Sequence, residues 1–343
     1  MVKKKKSDFS RERMLGQGVT PGPLLEMITG FWITKTVTVA TELGIFTQLP
    51  GKGMILPEIA RSIRIRERPM KMLLNACVAL GLLQKENDRY RKTPLSQVYL
   101  TKGRPHYMGD MVLMMGNSLY ERWGNLKEVI VRNRPVSMEK GDREQLLEYI
   151  NAMHGLGVIQ AEKISVLSDF SRVKTLLDMG GGSGVYSLVL AKKYPHLKAV
   201  IYDFPEVCGI TEKFIRQFKA QSQVSLCKGN LLTDGVPQGF DAVLLSQVLH
   251  QYGTKECISI LRKAYHALNK GGKLIINETL LDGEETGPLP SALFSLNMLI
   301  HTPRGSSYSG KRIRCWLQRI GFIDVKIQSS ESLLALVTAR KPT

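Results

Sequence analysis

From Leu176 to Gly184 the chain reads Leu-Leu-Asp-Met-Gly-Gly-Gly-Ser-Gly, an apolar strand that ends in a carboxylate and then breaks into glycine. Glycines at this density allow left-handed backbone and let a ligand approach the main chain closely. Val185 to Lys193 reads as a helix, so the free N–H groups of its first turn face whatever occupies the loop. Strand, glycine turn and helix in this order mark a nucleotide-type cofactor site at the carboxyl end of a first β-strand.

The glycine spacing separates two cofactor classes. A dinucleotide fingerprint needs glycine at the first, third and sixth positions, and counting from Gly180 the sixth is Val185, so that pattern fails. Asp178, Gly180, Gly182 and Gly184 instead give Asp-x-Gly-x-Gly-x-Gly. This resembles the first motif of class I S-adenosylmethionine (SAM) methyltransferases, whose loop wraps an amino-acid tail and a ribose. Further on, the apolar run Ala199 to Tyr202 ends in Asp203, placed to accept hydrogen bonds from both ribose hydroxyls. An acid there suits SAM and NAD equally, so the loop carries the distinction.

A chain of 343 residues, 43% apolar, is long enough for two domains with full cores. No apolar run approaches the length of a bilayer span. The basic start, Met1 to Lys6, lacks the apolar segment and cleavage site of a secretory signal. Five scattered cysteines without a Cys-x-x-Cys pair suit reduced thiols in a cytoplasm and speak against zinc; no other metal cluster is evident. The net charge of +18 falls largely before residue 110, in Lys3 to Lys6 and in Arg61, Arg64, Arg66, Arg68 and Lys71. Nucleic acid, a membrane surface or an acidic substrate could each use it. No aromatic residues interleave with these charges as a stacking platform requires, which favours a solvated surface.

Four segments follow from the pattern. Residues 1–20 form a basic, mobile tail. Residues 21–107 hold one or two helices between Leu24 and Gly44, a short helix Leu56–Ala60 with Pro57 in its first turn, and a helix Pro69–Ala79 stopped by Gly81. Leu82–Lys85, a Glu86-Asn87-Asp88 turn and Tyr90–Thr93 complete a hairpin, which gives the order of a winged helix. Residues 108–170 are helical and rich in methionine and aromatics; folded over the glycine loop, Tyr120, Trp123 and Met153 would roof a substrate pocket.

In 171–343 strands are predicted at Thr175–Met179, Lys198–Asp203, Val224–Lys228, Ala242–Ser246 and Lys273–Glu278, with helices between. The helix after His250 buries Cys257, Leu261, Ala264 and Leu268 and ends at Asn269-Lys270-Gly271-Gly272. Alternation of this kind gives a parallel sheet covered on both faces. Val325–Ile327 and Leu333–Val337 are joined too tightly for a crossover and must pair antiparallel. The fold class is α/β: a class I methyltransferase, Rossmann-like sheet with a terminal antiparallel hairpin, plus a mostly helical N-terminal domain.

With the winged helix, the Asp178 loop, Tyr202-Asp203-Phe204-Pro205-Glu206-Val207 and Leu249-His250-Gln251-Tyr252, the chain resembles the caffeic acid and hydroxyindole O-methyltransferase family from about Leu24 to Lys341. The resemblance implies SAM as cofactor, a small-molecule acceptor, and a winged helix that mediates homodimerisation instead of reading DNA. It assigns cofactor contacts to Gly180, Asp203, Asn230, Leu231 and Ser246. His250 stands at the catalytic histidine, with an imidazole pKa near neutrality that suits a base, and Glu278 at the glutamate that orients it.

Departures are visible. Gly229-Asn230 replaces the common Gly-Asp, keeping an acceptor oxygen for an adenine amino group without the charge. Ser246 stands where plant members carry lysine, and His250-Gln251-Tyr252 replaces His-Asp-Trp. The region of the family's second glutamate reads His301-Thr302-Pro303-Arg304-Gly305-Ser306-Ser307, leaving His301 and Tyr252 as candidates to share its role.

The leading reading is therefore a SAM-dependent methyltransferase acting on a hydroxyl of a small, aromatic molecule. Sulfur or carbon acceptors are variants; a thiol, partly ionised at neutral pH, needs less help from a base. A nucleic-acid methyltransferase fits the charge, but Ser246-Gln247-Val248-Leu249 stands where amino-methylating enzymes usually carry Asn-Pro-Pro-Tyr. A non-catalytic SAM binder would need neither His250 nor Glu278.

Overall fold

The reversal at Glu86-Asn87-Asp88 is a tight one, because Asn87 and Asp88 both take left-handed backbone, φ 48° and 61°. Asn and Asp tolerate this conformation better than other side chains, and it matches the turn to the twist of the strands it joins. The computed structural model describes residues 20–136, 143–329 and 334–343; the Lys3–Lys6 run and Leu333 lie outside them. The chain divides into two units between Lys102 and Gly103.

In the first unit, strands β1 (Met54–Ile55), β2 (Leu83–Glu86) and β3 (Arg89–Lys92) form an antiparallel sheet of order β1-β3-β2. The two-residue β1 is too short to show periodicity and was not legible in the sequence. Four helices, Gly22–Ile28, Gly30–Glu42, Leu56–Ile63 and Glu67–Ala79, supply most of the rest. Glu58 caps the third by accepting the Ile55 N–H at 3.0 Å. Phe46, Ile59, Met70, Leu74, Leu83 and Tyr90 are buried at the centre. The first two helices leave Leu24, Leu25, Met27, Ile28, Phe31, Trp32 and Ile33 exposed, Trp32 by 62%.

The second unit is built on β4 (Thr175–Met179), β5 (Lys198–Asp203), β6 (Val224–Lys228), β7 (Phe240–Ser246), β8 (Leu268–Glu278), the short β9 (Leu280–Leu281) and β10 (Tyr308–Ser309), β11 (Ile323–Ser329) and β12 (Ala335–Arg340). Successive side chains of β4, β7 and β8 alternate between two apolar layers: Leu177, Leu245 and Ile276 enter one, Leu176, Leu244 and Ile275 the other. Strands buried on both sides require helices on both faces. Helices Thr254–Ala267 and Gly310–Ile320 contribute to the first layer, Val185–Lys193 and the long Arg143–Leu167 to the second.

The sheet order is β11-β12-β8-β7-β4-β5-β6. β7, β4, β5, β6 and β8 run parallel, while β12 pairs antiparallel with both β8 and β11, as the tight late connection requires. The carboxyl ends of β4, β5, β7 and β8 therefore meet at one sheet edge. Asn269–Gly272, expected to close the preceding helix, belongs instead to β8. The helix stops at Ala267, and the left-handed Gly271 (φ 72°), opposite a register shift between Phe240 and Ala242, lets the chain enter the strand early. Leu268, expected on the helix stripe, is accordingly a buried strand residue.

The helices of segment 108–170 belong to the second unit. Met111, Met114 and Ala152 make a small core there, with Met153 packed against it. Arg143–Leu167 approaches the helix after the glycine loop at Gly157, where a Cβ would lie 2.4 Å from Val185 Cγ1. Among the described residues no helix is long and apolar enough to cross a membrane.

The glycine loop makes a stability prediction. Gly182 (φ 57°) and Gly184 (φ 75°) share left-handed backbone, but a Cβ on Gly182 meets nothing within 4 Å, whereas one on Gly184 lies 2.4 Å from Cδ1 of the buried Ile201. Gly182→Ala should cost about 1 kcal/mol from backbone strain. Gly184→Ala should cost about 2–4 kcal/mol because crowding is added. Urea unfolding of the two variants side by side checks the difference.

Candidate active site

The loop after β4 is held by its own backbone. Gly180 N–H donates to the Tyr202 carbonyl at 2.8 Å and Gly182 N–H to Asp203 Oδ2 at 2.8 Å, while the Gly182 carbonyl accepts from Thr211 Oγ1 at 2.6 Å. Gly180 (φ 74°), Gly182 and Gly184 need the left-handed region that glycine alone reaches without strain. Asp203 also accepts the Phe204 N–H through Oδ1 at 2.8 Å. Burial raises its pKa in spite of these two donors. Each carboxylate oxygen has a further lone pair, so Asp203 can still accept from a ligand hydroxyl beside the open face of Gly182.

Asp178 lies beneath the loop. It is fully buried, with Oδ2 accepting from Ser187 Oγ at 2.8 Å and Oδ1 without a partner among the described residues. Burial pushes its pKa up to about 7. Its place is below the loop backbone, close enough that a Cβ on Gly181 would sit 2.9 Å from its Cγ.

Asn230 Oδ1 accepts the Leu232 N–H at 2.8 Å, and Asn230 N–H donates to Asp234 Oδ2 at 2.9 Å. The oxygen expected to face an adenine thus closes a turn, with a lone pair left over. Leu231 is buried beside the loop, its Cδ1 3.5 Å from where a Gly180 Cβ would be. Lys263, not singled out from the sequence, clasps this turn by donating to the carbonyls of Leu231, Leu232 and Asp234. Ser246 Oγ accepts from Asn277 Nδ2 at 2.9 Å, in a buried polar chain that continues through Asn277 to Tyr186 and Gln160.

His250 follows β7 in a short helical turn, Leu249–Gln251, and is 5% exposed. Its Nδ1 lies 2.8 Å from Glu278 Oε2 at the end of β8, and Glu278, 2% exposed, also accepts the Leu249 N–H at 2.8 Å through Oε1. An ionised carboxylate can only accept, so Nδ1 carries the hydrogen and Nε2 presents a lone pair. Phe294 stands edge-on to the imidazole, centroids 4.9 Å apart. The expected juxtaposition of His250 and Glu278 is thus present. Tyr252 instead packs partly buried against the apolar layer, and its carbonyl accepts from the Tyr308 hydroxyl.

The expected roof is distributed. Trp123 Nε1 donates to Asn297 Oδ1 at 3.0 Å, Tyr120 is 38% exposed, and Met153 joins the small methionine core. His301 Nδ1 bonds the Asn297 carbonyl at 2.8 Å, and its Nε2 is buried without a partner among the described residues, as is Ser307 Oγ. Phe294, Asn297 and His154 were missed. The available signal for the first two was an asparagine and a histidine inside the helix Leu289–His301, whose other polar residues are serines. His154 carried no such signal: it joins Ser183 Oγ at 3.0 Å and stacks on Phe214, contacts between segments far apart in sequence. Burial pushes its pKa down to about 4.

An O-methyltransferase domain model matches residues 106–323, and an O-methyltransferase dimerisation domain model matches residues 25–102. A 3-hydroxy-5-methyl-1-naphthoate 3-O-methyltransferase from Streptomyces sahachiroi is 32% identical over 315 residues, covering 89% of this chain and 90% of the relative. Acetylserotonin O-methyltransferase from Bos taurus is 29% identical over 339 residues, covering 93% and 97%. The crystal structure of human N-acetylserotonin methyltransferase in complex with SAM aligns with a TM-score of 0.86 at 27% identity, covering 96% of this chain and all of that one (100%).

Asp178 supplies a test of the site's electrostatics. Its carboxyl ionises near 3.8 when unfolded and about 7 when folded, so the folded state holds the extra proton between those values and stability falls as pH rises through them. From pH 5 to pH 8 this group should remove about 2–3 kcal/mol. Asp178→Asn, which keeps an acceptor for Ser187, should flatten that part of the profile in urea unfolding at the two pH values.

Proposed function

Since the chain belongs to the O-methyltransferase family and uses SAM, we propose that it methylates a hydroxyl of a small aromatic molecule with His250 as general base. The observation that carries this reading is the buried His250–Glu278 pair at the edge where the glycine loop ends. The loop fits the cofactor: Gly182 leaves its outer face open and Asp203 keeps acceptor capacity for a ribose. Gly180, Gly182, Gly184 and Asp203 would hold it, with Asn230 and Leu231 flanking its base and Ser246 braced behind. SAM, when bound, supplies a methyl group on a positively charged sulfur.

The rest of the chemistry belongs to the protein. His250 Nε2 takes the proton as the acceptor oxygen attacks, and the imidazolium that forms is balanced by Glu278, to which Nδ1–H already donates. Because Leu249 N–H fixes Glu278, the imidazole is held in one orientation and one tautomer without a second glutamate. Phe294 and Trp123 offer apolar walls to an aromatic ring, and the named acceptors of the two relatives above, a hydroxynaphthoate and acetylserotonin, are aromatic.

His250→Gln should lower kcat about 100-fold or more and leave SAM affinity within about twofold. Asp203→Ala should do the reverse, weakening SAM about 10-fold or more. Labelled-methyl transfer and calorimetry read the two effects, and an unaltered kcat in His250→Gln would remove the base from the mechanism. We also assign the exposed Leu24–Ile33 apolar surface to a homodimer of the winged-helix unit. Trp32→Asp should then halve the mass measured by sedimentation equilibrium.

A further inference from the structure

His154 is a partly buried imidazole that the methyl-transfer chemistry does not use. It sits on the long helix Arg143–Leu167, where three segments distant in sequence meet. Its Nδ1 lies 3.0 Å from Ser183 Oγ in the glycine loop. The ring lies flat on Phe214, centroids 4.3 Å and planes 21° apart, and edge-on to Phe218 at 5.8 Å. Phe214 belongs to the helix Pro205–Gln217, which begins just after Asp203. One turn earlier on that helix, Thr211 Oγ1 donates to the Gly182 carbonyl at 2.6 Å. The aromatic stack fixes the plane of the imidazole and aims Nδ1 at the serine, whose hydroxyl can pair with either tautomer. Burial pushes the His154 pKa down to about 4, so the ring is neutral at neutral pH and brings no charge to the loop.

Ser183 stands inside the turn that Gly184 N–H closes on the Gly181 carbonyl at 2.8 Å, and it is 4% exposed. Gly182 and Gly184 on either side of it are left-handed. Glycine has the most backbone freedom to lose, and fixing one residue's backbone costs about 1–2 kcal/mol. A loop of this composition avoids that cost at the moment of binding only if other parts of the chain already hold it in shape. Asp203 and Thr211 hold Gly182, and His154 holds the next residue by its side chain. Resting on the assignment of this loop to SAM, we propose that His154 is a positioning residue for the cofactor: its bond to Ser183 Oγ keeps the glycine loop in the binding conformation before SAM arrives. The long helix and the helix after Asp203 thereby brace the loop together, through one ring.

The test is a double-mutant cycle read by calorimetry with S-adenosylhomocysteine. His154→Phe keeps an aromatic ring on Phe214 and removes the hydrogen bond, and Ser183→Ala removes it from the other side. Each should weaken binding about 5-fold, and the double variant no further. His154→Asn, which keeps a polar atom near the place of Nδ1, should recover part of the loss. In the ligand-free chain, amide hydrogen exchange of residues 180–184 should quicken in both single variants. Unaltered affinity in either folded single variant overturns the proposal, even where its unfolding temperature falls, because the contact is then structural only. A double variant in which the two losses multiply also overturns it, since the residues then act separately. If His154→Phe does not fold, Ser183→Ala decides, because it leaves the aromatic packing untouched. Absence of binding by the native chain removes the SAM assignment itself, whereas native binding with unaltered variants removes only the role of His154.

Discussion

Parallel pairing of β4, β5, β7 and β8 is the constraint on which the site depends. Strands that run the same way end on the same side, so residues from 178 to 278 are gathered at one edge without any sequence proximity. Asp178 and Asp203 come from adjacent strands, Ser246 and Glu278 from the next pair, and the glycine loop closes over the first two. The apolar layers on both faces hold the strands in register, which makes the distance between His250 and Glu278 a property of the whole sheet.

Collecting three carboxyls at a buried edge is costly unless each is treated differently. Asp203 accepts two backbone N–H groups, and Glu278 accepts a backbone N–H and an imidazole N–H. Asp178 receives one hydroxyl and is left with one oxygen bare, so burial dominates and its proton is held more tightly. These environments separate the groups into a loop anchor, a histidine partner and a loop support, although all three are the same functional group.

Two histidines share a tautomer for different reasons. A carboxylate takes the Nδ1 hydrogen of His250, and a backbone carbonyl takes that of His301. Both therefore present Nε2. The first has a charged partner ready to stabilise a gained proton; the second has only a neutral dipole and a nearby Arg122. The same side chain is oriented by a carboxylate at one place and by a backbone carbonyl at the other.

Sequence pattern was sufficient for the glycine loop, the strands β4, β5 and β6 to the residue and the antiparallel late pair, because each rests on local periodicity, on turn chemistry or on a motif within a few residues, whereas the pairing of His250 with Glu278, distant in sequence, was implied only by the family resemblance. It was insufficient for the early start of β8, where a glycine admits strand geometry that a helix stop would also explain. It also did not expose Lys263 on the Asn230 turn, His154 on Ser183, or the stripe of Phe294, Asn297 and His301. Those depend on which helix lies over which strand end, and packing between segments far apart in the chain leaves no periodic trace in either one. The amino-acid order by itself determined the glycine loop and the strands around it; only tertiary packing decided which polar atoms are satisfied and which, like His301 Nε2, have no partner among the described residues.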